Sequence, residues 1–549
     1  MNLIINTKFE FKLTTKDDIL ETIKVLKAKT SFGFDGISSN RLKQIANIIA
    51  SPLSLITNQS LITGIFPDQL KIAKVIPLFK KDDRHIFDNY RPISLLPAIS
   101  KVIEKIVYKQ LYDYFVKNKL IYSSQYGFRK DHSTELASLE LCDRILGYLD
   151  EGKLPITIFL DLSKAFDTLD HKILLSKLKY YGVNGIALKW FHSYLTNRYQ
   201  YIQYNDVTST MLTIETGVPQ GSILGPLLFL IYMNDIYLVS DKFSSILYAD
   251  DTTLDSPITS FDIVTDGCKF NKEALSENIN AEIKLITDWL AVNKLSLNAK
   301  KTKFMFFHFP QRNITSYIPD LTINNIVIER VTKFNFLGLT LDEHMSWKSH
   351  THKICNKMSR CIGVMNRLKR FLPLNILKLM YNSLILPHVQ YSILCWGFNP
   401  GKTFTLQKRA IRTITASKYN AHTSPLFKKL QLLKFKDIFE ISILKFYHKL
   451  KNSKLPAYFN NILDAPPVEH THDTRHKAAS YPNYSISKTG ENCIRYALPA
   501  LLKLTPDFVI DKVSTHSLKG FATYIKNHSI SSYIIICEIH NCYICNRDA

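Results

Sequence analysis

Three aspartates are the first residues whose type and placement could do chemistry. Asp161 closes the apolar, β-branched run Pro155–Leu160, which reads as a buried strand. A carboxylate at such a place is costly unless it is paired or bound to a cation. Asp250 and Asp251 interrupt a second apolar stretch, Ile246 to Leu254, which reads as strand, turn, strand. Consecutive strand residues point to opposite faces, so only a turn lets both carboxylates reach one site. Hard oxygen ligands grouped this way suit Mg²⁺. Two such ions about 4 Å apart can activate a 3′ hydroxyl and stabilise a leaving pyrophosphate. Each piece has an ordinary reading too: Asp-Asp at a hairpin tip is commonly a plain turn, and Asp161 could cap a helix.

Between the carboxylates lies G-V-P-Q-G-S, Gly217 to Ser222, a tight loop before an apolar helix. Glycines let backbone approach a ligand closely, and a helix N-terminus favours anions. The same string also serves as a simple turn into a helix.

The elements that must position these groups follow from periodicity. Thr15 begins a capped helix running toward Lys29, with Ile19, Ile23 and Leu26 on one face. Ala73 to Phe79 is extended. After the Pro155 strand come helices at His171–Tyr181 and ending near Asn197, then a hairpin over Tyr199 to Glu215. Ile279, Ile283, Ile286 and Leu290 form a helical stripe, and Thr302 to Phe307 is a strand. Leu321–Ile323 and Ile326–Ile328 make a hairpin about Asn324-Asn325. Beyond Leu341 the chain is mostly helical. Ile354, Met358, Cys361, Met365, Leu368 and Leu372 form an apolar stripe beside Lys353, Lys357, Arg360 and Arg367, and Pro373 ends the run. Such a helix either has a solvated flank or packs inward while tracking phosphates. Asp464 to Lys477 reads as a linker.

Composition narrows the class. At 549 residues the chain exceeds one core and predicts two to four structural units. Its 70 Lys and Arg against 47 acidic residues give a formal charge of +23, which favours a polyanionic partner. Nine scattered cysteines fit a reducing compartment rather than a disulfide scaffold. The opening M-N-L-I-I-N-T-K-F-E has neither a basic lead-in nor a long apolar core, so no signal peptide is read, and no stretch reads as a transmembrane segment.

Seven strings, in order, carry a family resemblance. N-Y-R-P-I-S-L-L at Asn89 to Leu96 and Q-Y-G-F-R at Gln125 to Arg129 resemble fingers motifs of non-LTR retrotransposon reverse transcriptases. F-L-D-L-S-K-A-F-D at Phe159 to Asp167 resembles their motif A, G-V-P-Q-G-S-I-L-G-P at Gly217 to Pro226 motif B, and Y-A-D-D at Tyr248 to Asp251 motif C. L-N-A-K-K-T at Leu297 to Thr302 resembles motif D, and Phe336-Leu337-Gly338 the primer grip. P-H-V-Q-Y-S-I-L-C-W-G at Pro387 to Gly397 is similar to the region that follows in jockey-like LINE elements.

The resemblance implies an α+β right-hand polymerase of fingers, palm and thumb, with a mostly helical C-terminal region. The expected division is a helical N-terminal extension of the fingers over 1–57, a reverse transcriptase domain over 58–342, a helical thumb or connection over 343–463, and a linker with a C-terminal region of unknown role over 464–549. It implies two Mg²⁺ ions, with Mn²⁺ a possible substitute, on Asp161, Asp250 and Asp251. Phe166 falls at the steric gate against a ribose 2′-OH. Arg91, Arg129, Gln220 and Gly221 are expected at the nucleotide or template, and Lys301 as proton donor to pyrophosphate or as a structural lysine. The implied partners are an RNA template, a DNA primer or target, and dNTPs, with no membrane; the implied setting is nucleus and cytoplasm. No endonuclease or RNase H signature is read. Cys537, His540, Cys542 and Cys545 are four zinc-type ligands in the tail, but His540 and Cys542 lie closer than usual zinc spacing, so a plain tail is the alternative. The competing functional readings are a catalytically silent nucleic-acid-binding remnant and a different palm enzyme.

Overall fold

A computed structural model of the chain describes residues 7–261, 272–312, 314, 318–463 and 493–533. The expected linker at Asp464 to Lys477 and the tail quartet Cys537, His540, Cys542 and Cys545 lie outside the described residues.

The chain opens with α1 (Lys16–Val25), capped by Thr15 in a reciprocal pair with Asp18. It stops four residues short of the expected end, because Leu26 turns extended. Then come α2 (Ala46–Thr63), β1 (Ile72–Phe79), β2 (Tyr90–Leu95), α3 (Ala98–Lys117) and α4 (Thr134–Asp150). The middle of the chain supplies β3 (Pro155–Leu160), α5 (His171–Tyr180), α6 (Gly185–Leu195), β4 (Arg198–Tyr204), β5 (Leu212–Ile214), α7 (Gly225–Met233), β6 (Ser244–Tyr248) and β7 (Asp251–Pro257). After α8 (Lys272–Val292) come β8 (Lys303–Phe306), β9 (Glu329–Arg330), β10 (Lys333–Phe336) and β11 (Leu339–Asp342). The rest is helical, with α9 (Lys348–Leu368), α10 (Thr403–Ile414), α11 (Phe435–Lys451), α12 (Ile494–Leu504) and α13 (Leu518–Ser531) as its main members.

The fold is therefore mixed α and β. Its central sheet runs β9-β8-β3-β7-β6, antiparallel except for the β9–β8 pair. Every residue of β3 is buried, and the sheet is covered on both faces. Ile156, Ile158 and Leu160 face a core shared with α5, α6 and α7, while Phe159 faces one shared with α4 and the C-terminal helices. This explains why β3 reads as a continuous apolar run rather than an alternating one. A second sheet joins β2, β1, β4 and β5. The expected hairpin over Tyr199 to Glu215 is present as β4–β5, and β4 also pairs in parallel with β1, Ile72 opposite Tyr199. That long-range pairing has no signature in the local sequence.

The Asn324-Asn325 turn forms as read, both residues at positive φ (49° and 64°) between Thr322–Ile323 and Ile326–Val327. Helix α9 starts six residues before Ile354 and ends at Leu368. Its buried stripe runs Ile354, Met358, Ile362, Met365, so Ile362 takes the place expected for Cys361. The five described cysteines are all free. Among the described residues no helix is long and apolar enough to cross a membrane.

Candidate active site

Strand register brings the three aspartates together. Leu160 pairs with Thr252, so Asp161, one step beyond β3, falls beside Asp251 at the start of β7. Tyr248 pairs with Asp251, leaving Ala249 and Asp250 as a two-residue turn with Ala249 at φ 57°. Asp251 has a solvent-facing edge but is crowded by protein. Its carboxyl is pushed up to about 6, first by that burial and then by the negative charges of Asp250 and Asp161. Lys301 Nζ lies 3.9 Å from Asp161 Oδ2, the lysine side chain exposed and the aspartate side chain partly so. Among the described residues no side chain donates a hydrogen bond to Asp250 or Asp251. The donor set is all carboxylate oxygen at the ends of two interior strands, which fits Mg²⁺ or Mn²⁺ and not a soft metal.

The loop Gly217–Ser222 is fastened to both neighbours of this site. Gly217 N donates to Leu169 O at 2.7 Å and Val218 N to Phe166 O at 3.0 Å. Gln220 Nε2 donates to both oxygens of Asp167, at 2.9 and 3.0 Å, and Gln220 O accepts from Ser94 N on β2 at 2.8 Å. Gly221 has φ 139°, and a Cβ there would sit 2.3 Å from Ser94 O. No other residue fits so close a crossing. Phe166 stacks on Phe229 of α7 with centroids 4.4 Å apart, and Phe128 meets it edge-on at 6.1 Å.

The Gln125–Arg129 segment lies directly on the hairpin tip. Tyr126 N donates to Leu247 O at 2.7 Å, Leu247 N to Ser124 O at 3.0 Å, and a Cβ on Gly127 would meet Ala249 N at 2.3 Å. Arg129, expected at the nucleotide or template, has Nη1 on the carbonyls of Tyr122 (2.8 Å), Ser123 (3.2 Å) and Gln125 (3.0 Å), so it also holds its own loop. Arg91 is exposed on β2, opposite Leu78.

Two positioning residues escaped the sequence reading. Glu104, fully buried on α3, accepts from Ile223 N (2.6 Å), Leu224 N (3.3 Å) and Ser100 Oγ (2.9 Å), so it anchors the entrance to α7. Its signal was a charged residue on the apolar face shared by Ser100, Val107 and Leu111. Tyr391 is the other. The β10–β11 turn has Leu337 at φ 43° and Gly338 at φ 90°, and the Tyr391 hydroxyl donates to Leu337 O and contacts Thr134 Oγ1 at 3.1 Å. This hairpin packs on β3 itself: Phe334 stacks on Phe159 at 3.9 Å, with Phe336 at 5.9 Å. Lys353, Lys357, Arg360 and Arg367 all lie exposed on α9, and Lys353 Nζ reaches Asn335 Oδ1 at 3.4 Å.

Carboxylates at the ends of two interior strands, a glycine-built loop beside them and an aromatic next to that loop make one open site suited to hard cations and their anionic ligands. Residues 79–341 match the family model described as reverse transcriptase (RNA-dependent DNA polymerase), so this part of the chain is a reverse transcriptase domain. The chain is also similar to transposon proteins. The chain is 28% identical over 438 residues to the "Probable RNA-directed DNA polymerase from transposon BS" of Drosophila melanogaster, covering 76% of this chain and 46% of that protein. It is 26% identical over 469 residues to the "RNA-directed DNA polymerase from mobile element jockey" of the same fly, covering 81% of this chain and 49% of that protein. The corresponding protein of transposon X-element is 25% identical over 421 residues, 73% of this chain and 44% of its own length. The chain thus spans about half the length of the curated relatives it matches.

Proposed function

We propose that this chain is an RNA-directed DNA polymerase of a non-LTR retrotransposon, extending a primer 3′ hydroxyl with dNTPs along an RNA template. The reading rests on Asp161, Asp250 and Asp251 being neighbours at one end of the paired strands β3 and β7. These three residues would hold two Mg²⁺ ions, with Mn²⁺ as substitute, and the chemistry supplied there would be activation of the attacking hydroxyl and charge neutralisation on the departing pyrophosphate. The chain's own groups do the remainder. Phe166, backed by Phe229, excludes a 2′-OH. Gln220 and Gly221 line the nucleotide and template, and Arg91 reaches the triphosphate or template. Arg129 acts through the loop it holds, keeping Phe128 beside Phe166. Lys301, exposed and next to Asp161, delivers a proton to the leaving pyrophosphate. The Phe336-Leu337-Gly338 turn steadies the primer end. In hand terms, the N-terminal sheet with the helices of 1–57 forms fingers, the central sheet palm, and 343–463 thumb and connection. Priming at chromosomal DNA requires access to the nucleus.

The test is extension of oligo(dT) on poly(rA) with dTTP and Mg²⁺. The wild-type chain should extend, and Asp250→Ala should fall on the order of 10³-fold. No extension by wild type, or equal extension by the variant, overturns the reading.

A further inference from the structure

Among the described residues the group whose metal-ligating atoms all lie within 4.8 Å of one another is not the aspartates but a cluster where β8 meets the β10–β11 hairpin. His308 follows β8; Glu343 and His344 follow β11; His308 N donates to Glu343 O at 3.0 Å and joins the two segments. His308 Nδ1 is 2.9 Å from Phe309 O, and His344 Nδ1 is 3.0 Å from His308 O. A carbonyl only accepts, so both Nδ1 atoms carry hydrogen, and each neutral ring has its lone pair on Nε2. Both Nε2 atoms face the Glu343 carboxylate, His308 at 3.8 Å from Oε2 and His344 at 3.9 Å from Oε1. Those separations are too long for hydrogen bonds. Three lone-pair atoms therefore converge within 4.8 Å of one another, and none donates to another. Arg330 Nη2 donates to Oε2 at 2.7 Å and leaves Oε1 open.

We propose that His308, Glu343 and His344 bind one zinc ion. Two imidazoles and a carboxylate form a borderline donor set that suits Zn²⁺ better than Mg²⁺. Tetrahedral Zn²⁺ needs ligand atoms roughly 3.3 Å apart, about 0.5 to 1.5 Å closer than they now stand, at 3.8 Å to within 4.8 Å. The backbone bonds at both Nδ1 atoms fix ring orientation and tautomer as outer-shell contacts do at metal sites. Arg330 holds the free carboxylate oxygen. Water fills the fourth position from the side of His344, the most exposed ligand at 32% against 9% and 17%. The ion ties the central sheet to the segment leading into α9, bracing the root of the basic helix.

The experiment is Co²⁺ binding to the full chain after chelator dialysis, read by absorbance in excess Mg²⁺ so that the three aspartates are filled. The expected result is one equivalent of Co²⁺ with visible d–d bands and no thiolate charge transfer. C542S/C545S, which disables the tail cysteines, should keep these bands; H344Q and E343Q should lose them. Added Zn²⁺ should raise the Tm of wild type and C542S/C545S but not of H344Q. Absence of thiolate-free bands in C542S/C545S overturns the site whether or not H344Q folds, and so does retention of full binding by a folded H344Q. Neither readout depends on polymerase activity.

Discussion

At the level of single side chains, Phe166 makes the sharpest statement. It is half-buried, stacked on Phe229 and flanked edge-on by Phe128, so its ring has little freedom to move aside. Replacing it with valine opens space the size of a hydroxyl without touching a carboxylate. Phe166→Val should raise ribonucleotide incorporation relative to deoxyribonucleotide by at least about tenfold, measured as the ratio of kcat/KM for rTTP and dTTP. An unchanged ratio would remove Phe166 from the gate. Arg129 has an engagement that its type does not announce. Three backbone carbonyls within its own turn accept from its Nη1. No spacing rule reveals a contact made by loop curvature.

Among elements, α9 carries two separate consequences. Its exposed Lys353, Lys357, Arg360 and Arg367 lie opposite the buried Ile354–Met365 stripe. If this face tracks the template–primer duplex, changing all four to alanine should reduce the slope of log K against log salt by about 3 to 4, because each phosphate contact contributes about 0.9. Binding titrations at several salt concentrations measure it, and an unchanged slope assigns the face to solvent. The first turn of α9 behaves differently. His350 is buried, its rim against Trp347 and Trp396, and Nδ1 accepts from Thr340 N at 3.2 Å. Burial, helped by Lys353 and Lys357, holds its pKa down to about 4. The unfolded value near 6.5 is higher, so the unfolded chain binds the proton more tightly. Stability is complete above pH 6.5 and falls as pH drops from there through 4, by up to about 3 kcal/mol. His350→Gln should flatten that part of the stability profile in urea titrations at pH 7, 6 and 5.

Across the whole molecule, the described C-terminal helices fold back onto an element over three hundred residues earlier. Asp143 of α4 is fully buried and accepts from Tyr458 Oη at 2.7 Å and from Arg495 Nε at 3.2 Å, with the Cys493 thiol beside it. Burial and this carboxylate push the Cys493 thiol well up, so it stays protonated. Asp143→Ala strips the acceptor from three groups on two distant segments. Arg495 is partly exposed, which reduces the loss to about 2 kcal/mol. Proteolysis within residues 493–533 should speed up in the variant; equal cleavage rates would show that the helices dock independently of this contact. Tyr391 makes a comparable link, joining the Leu337-Gly338 turn to the start of α4.

Much of this was legible along the chain. Asp161 stood out because an apolar strand ended on a charge, and Asp250-Asp251 because two apolar runs flanked them. The β3, β8, α5 and α6 segments, the Asn324-Asn325 turn and the glycine-built loop all follow local rules of period and backbone freedom, and local rules survive in a linear string. What needed the folded molecule was every pairing between distant segments. The β1–β4 ladder, Glu104 beneath α7, the Gln125–Arg129 segment on the hairpin tip, and the meeting of His308 with Glu343 and His344 arise from register and packing between pieces far apart in sequence. The three aspartates themselves divide the same way. Their identity and turn could be read in order, but the register of Leu160 with Thr252, which sets Asp161 beside Asp251, is a property of the sheet.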